Sequence, residues 1–138
     1  MHRVQPFTIG LISLAAFAGC DPVWRVNNPA TVEGRLDPAC LEAGLRQVSP
    51  DLETNRAVDG SRLEFVLVPP ATEPYGVNVT WERARPSTIE LETRAVGQQA
   101  NTKAVEGFRS VRTDILGAVE RSCGAKVTLG AETCIGCQ

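Results

Sequence analysis

The sequence predicts an α+β fold: a two-layer sandwich in which an antiparallel sheet of three to four strands, in the order α-β-β-β-α-β, carries two helices on one face. Three observations lead there. Residues 63–67, 77–82 and 89–95 set large apolar side chains at every second position, with Glu64 and Val66, Asn78, Thr80 and Glu82, and Glu90, Glu92 and Arg94 between them, the period of strands buried on one face only. Residues 102–122 repeat apolar side chains at helical spacing, and a shorter segment after Asp37-Pro38 does the same. Strands with one apolar face need one cover, which places both helices on the same side.

Taken in chain order, residues 21–36 carry Pro22, Asn27, Asn28, Pro29 and Gly34. They read as a tether with one short extended piece at 23–26. The first helix starts at Asp37, whose carboxylate can accept from free first-turn amides. Pro38 suits the first helical position, where its missing N–H had no partner. Leu41, Leu45 and Val48 share a face, and Ser49-Pro50 ends the helix. Leu63, Phe65 and Leu67 point one way from the first strand of a meander, and the Pro-rich stretch 69–76 is a loop. Pairing Trp81 with Ile89 and Val79 with Leu91 keeps every large apolar group of the next two strands on one face, whereas a one-residue slip exposes them all. In the second helix Val105, Phe108, Val111, Ile115 and Val119 form the stripe, and Gly124 suits the left-handed stop. Val127 and Leu129 mark a last short strand.

The N-terminus carries an address. His2 and Arg3 form a small basic region before the apolar run 7–17, which is shorter than the roughly 18 residues a membrane-spanning helix needs. Phe17-Ala18-Gly19-Cys20 closes the run and resembles the lipobox of bacterial lipoproteins, with Phe17 where that family prefers Leu. The resemblance, confined to the first 20 residues, implies a cleaved signal peptide (1–19), a lipid such as palmitate carried on Cys20, and a cell-envelope protein held at a membrane. Asp21 follows Cys20, which in enteric bacteria favours retention in the inner membrane; inner and outer membrane both stay open. Ala16-Phe17-Ala18 also fits ordinary secretory cleavage. The expected organisation is signal 1–19, lipid-anchored tether 20–36 and one disulfide-stapled domain 37–138, facing the periplasm or the exterior.

Cysteine parity bears on the choice between the two cleavages. The chain has five cysteines. Lipidation of Cys20 leaves Cys40, Cys123, Cys134 and Cys137, an even set suited to an oxidising compartment. Antiparallel helices would bring Cys40 and Cys123 together, leaving Cys134 with Cys137; the alternative joins Cys123 with Cys134 and Cys40 with Cys137. Cys134-x-x-Cys137 also admits a redox or metal-handling reading. Only Gln138 follows it, so there is no helix N-terminus to lower a thiol pKa.

Composition narrows the function classes. The net charge is −2 with arginine and lysine unclustered, which argues against nucleic acid as a partner. The one histidine is His2, inside the signal, so Ser-His-Asp and Cys-His catalysis and HExxH zinc chemistry are excluded from the remainder. No catalytic residue, cofactor or metal is expected. Glu90 and Glu92 fall on successive outward positions with Thr80 and Asn78 opposite, and they read as a solvated, ion-paired sheet face rather than an acid–base pair. Tyr75, between Pro74 and Gly76, is a candidate contact for an unknown envelope protein or ligand. Trp24 is a second candidate, as a membrane-interface residue or as a cap on the core.

Overall fold

The computed structural model describes residues 23–96 and 102–136. Its elements are β1 (Val23–Val32), α1 (Pro38–Val48), β2 (Glu53–Arg56), β3 (Arg62–Leu67), a 3₁₀ turn (Pro70–Thr72), β4 (Val77–Glu82), β5 (Arg85–Val96), α2 (Thr102–Cys123), β6 (Val127–Leu129) and β7 (Thr133–Ile135). All strand pairs are antiparallel, in the order β2-β3-β4-β5-β1-β6, with β7 also on β1. The described sheet thus has seven strands rather than the expected three to four. The order begins with a strand, and the α-β-β-β-α-β reading is corrected accordingly.

The meander β3–β4–β5 has the register that alternation dictates, with Trp81 opposite Ile89 and Val79 opposite Leu91. Asp37 caps α1 by accepting from the Ala39 amide at 2.9 Å. In α2 Phe108 and Ile115 are fully buried. Gly124 adopts φ +63° and its amide bonds the Glu120 carbonyl at 2.9 Å, which stops the helix. Both helices cover the face onto which Val26, Phe65, Val79 and Leu91 project, all at 0 % exposure. The other face is bare.

The strands beyond the expected set are β1, β2 and β7. β2 (ETNR) and β7 (TCI) lack apolar alternation, and every β7 residue is exposed. β1 is the instructive one, because the expected tether 20–36 is largely this strand, paired on both edges. Trp24, Val26, Ala30 and Val32 face the core at a period of two, but Asn28 interrupts them and Asn27-Asn28-Pro29 reads as a turn. Pro29 is tolerated because of where its missing donor falls. Its carbonyl accepts from the Gly130 amide at 2.7 Å, and in an antiparallel ladder the same residue's N–H would point back at the Gly130 carbonyl. That carbonyl is taken instead by the Asn28 amide nitrogen at 3.0 Å. The fit needs glycine at 130, since a Cβ there would meet Pro29 Cγ at 2.8 Å.

The helices run antiparallel, and Cys40 in the first turn of α1 is bonded to Cys123 at the end of α2, Cα to Cα 5.1 Å, across 83 residues of sequence. This bridge excludes the alternative of Cys123 with Cys134 and Cys40 with Cys137. Cys134 is disulfide-bonded as well; Cys137 lies outside the described residues, and so therefore does the Cys134–Cys137 pairing. Cys20 and the signal peptide lie outside them too. No described helix is long and apolar enough to cross a membrane.

Candidate functional site

The bare face of the sheet holds a polar depression of about 240 Å³, built on β1, β3, β4 and β5. Two cross-strand rows form its floor. One runs Asn27, Glu92, Asn78 across β1, β5 and β4, and the other Glu90, Thr80, Glu64 across β5, β4 and β3. Neighbouring members of a row stand roughly 5 Å apart, within reach of one bound polar molecule. The rim is ionic. Arg25 and Arg94 lie 3.9 and 3.8 Å from Glu92, and Arg62 lies 3.3 Å from Glu64. Pairs this exposed contribute little to stability.

The centre is different. Asn27, Asn78, Thr80 and Glu90 are half-buried, yet their side chains make no hydrogen bond or ion pair among the described residues. Glu90 has Pro29 and Thr80 as cross-strand neighbours, so no cation stands directly opposite it. The floor therefore offers two amides, a hydroxyl and a carboxylate to whatever occupies it. Glu90 and Glu92 stand on adjacent outward positions as expected, but only Glu92 is ion-paired. No group of three or more His, Cys, Asp or Glu among the described residues could hold a metal ion.

Asn27 and Glu64 were not singled out from the sequence. The signal that places Asn27 is the two-residue period of Trp24, Val26, Ala30 and Val32, which forces residue 27 outward. Glu64 follows from the same rule on β3. The two aromatic candidates lie elsewhere. Trp24 is a core residue at 2 % exposure, so of its two readings the core cap holds. Tyr75 is half-buried edge-on against it, ring centroids 5.3 Å apart, and is a packed residue rather than a free contact.

A second polar cluster lies under the sheet. Asn28 Oδ1 accepts from Arg112 Nη1, which also bonds Glu132 at 2.8 Å, while Arg109 grips Glu132 at 2.7 Å. The Arg112 side chain is 17 % exposed and its Nε finds no partner among the described residues. Hydrogen bonds from Arg109 hold the Glu132 carboxyl below its ordinary pKa of 4.5, burial opposes them, and Arg112 adds to the lowering. A carboxylate favoured in the fold stabilises it above the unfolded-state pKa, and that contribution is lost as pH falls through the lowered folded value. Glu132→Gln is expected to cost about 1–2 kcal/mol at neutral pH, the pair being partly exposed, and to flatten the acid limb of stability below about pH 4.5. Urea titrations of both proteins at neutral and acid pH measure this. The cluster locks β1, α2 and the β6–β7 bend together, which is a structural role.

A groove of about 370 Å³ between the helices is lined by Gln47, Val48, Thr113, Asp114, Gly117 and Arg121. It brings together no cluster of unpaired polar groups like that of the sheet face. No known protein family matches the chain, and no curated protein matches its sequence.

Proposed function

We propose that this chain is a small lipid-anchored cell-envelope protein that binds a partner through the bare face of its sheet and performs no catalysis. The observation that carries the binding role is the floor of that face: Asn27, Asn78, Thr80 and Glu90, half-buried and without side-chain partners among the described residues. Polar groups held on rigid strands without internal bonds are ready to bond a ligand at small ordering cost. Among the described residues Glu64, Glu82 and Glu92 are each ion-paired and Glu90 is not, which favours a polar partner that brings a positive charge to Glu90. Support for the address is separate. It rests on the lipobox-like Phe17-Ala18-Gly19-Cys20 and on the Cys40–Cys123 bridge, since disulfides persist in oxidising compartments such as the periplasm.

A photo-crosslinking residue at Thr80, compared with one at Ser110 on the exposed side of α2, tests the binding role in intact cells. One dominant adduct from position 80 that disappears with Glu90→Arg is expected. Equal adduct patterns from both positions would contradict a sheet-face site. A free-thiol count under trapping reagent separates this reading from thiol exchange at Cys134 and Cys137: no free thiol is expected, and two or four would favour the exchange chemistry.

A further inference from the structure

The anchor point decides which end of the domain meets the bilayer. Only Asp21 and Pro22 separate Cys20 from Val23, the first residue of β1. A segment this short reaches about 10 Å when extended, whereas the ten residues of β1 run about 33 Å. A domain tied so closely cannot turn its far end to the membrane. The antiparallel pairing places the start of β1 beside the ends of β3, β5 and β7 and the start of β4. Three large apolar side chains are exposed among the described residues, and two are at this end: Val68, directly after β3, at 53 %, and Ile135, the last residue of β7, at 48 %. They flank the start of β1, four strand spacings apart, roughly 19 Å. The 69–76 loop closes the same end, and the Tyr75 hydroxyl bonds to no described residue. The third, Val58, sits in the β2–β3 turn at the opposite end.

We propose that Val68 and Ile135 dock into the headgroup layer of the bilayer that holds the Cys20 lipid, with the strands standing along the membrane normal. The proposal rests on the lipid-anchor reading and adds an orientation to it. The diacylglyceryl group on Cys20 supplies the attachment, and the two apolar side chains fix how the domain stands on it. The Cys40–Cys123 end then faces away from the membrane, and the bare sheet face stands upright within one strand length of it, open to partners in the zone adjoining the lipid.

The test uses the full lipidated chain extracted from membranes and placed in phosphatidylethanolamine–phosphatidylglycerol vesicles containing brominated acyl chains. Tryptophan is introduced as Val68→Trp, Ile135→Trp or Val58→Trp, and the parent emission from Trp24 and Trp81 is subtracted. The added emission of the first two variants is expected to lose most of its intensity to bromine, and that of Val58→Trp to keep it. Equal quenching at 58 and 68 overturns the orientation. No quenching at 68 or 135 in a chain that floats with the vesicles overturns docking while leaving the anchor in place. A chain that does not float overturns the anchor itself, and the proposal with it.

Discussion

Replacing Cys40 and Cys123 together by alanine is expected to lower the unfolding free energy by about 4.5 kcal/mol, the chain-entropy value for a loop of this length. The bridge spans 83 residues, so it constrains most of the domain in the unfolded state, including β2 to β5. It also joins the outer ends of α1 and α2, so the two helices would remain held together only by packing and by contacts such as Gln47 Nε2 to Ser122 Oγ at 3.1 Å. The whole free energy of a domain this size is about 5–15 kcal/mol, so a loss of this order is readily measured. Urea denaturation of a soluble form with Cys20 replaced by serine, with and without the double substitution, provides the number. A change under about 1 kcal/mol would show that the bridge is incidental to folding.

Trp24→Ala is the second large effect, expected at about 3–5 kcal/mol. A tryptophan in an unstructured tether would tolerate alanine with little change. Here the ring is almost fully buried, meets Tyr75 edge-on, and belongs to the strand that joins β5 to β6 and β7. Losing it opens a large cavity in the core that the helices cannot close, because α2 is fixed over β1 through Arg112 and Asn28. The same reasoning predicts that a chain shortened to begin at Asp37 will not fold, since β5 would lose its longest partner. Circular dichroism of the truncated chain checks this, and a cooperative native-like transition would return residues 23–36 to the status of a tether.

What could be read from the residues was whatever alternation or helical spacing made explicit. Phe65, Val79, Trp81, Ile89 and Leu91 announced their strands and their mutual register, and the stripe of α2 gave its length to within a residue. β1 was hidden because Asn28 and Pro29 carry turn statistics, while the donor that Pro29 lacks is supplied by a side chain from the residue before it. No local rule contains that substitution. β2 and β7 were hidden because short, polar strands on an existing edge are specified by their neighbour's open ladder and not by their own pattern. The site was legible in part. Glu90, Glu92, Asn78 and Thr80 follow from the hairpin register, whereas Asn27 needs β1. Tyr75 looked free because Pro and Gly flank it, and only the packing of Trp24 beneath reveals otherwise.

Intact-mass measurement on protein extracted from membranes tests the anchored-protein reading most directly. The expected species begins at Cys20 and carries the added mass of a thioether-linked diacylglyceryl group. An unmodified chain beginning at Gly19 or at the initiator Met1 would contradict it.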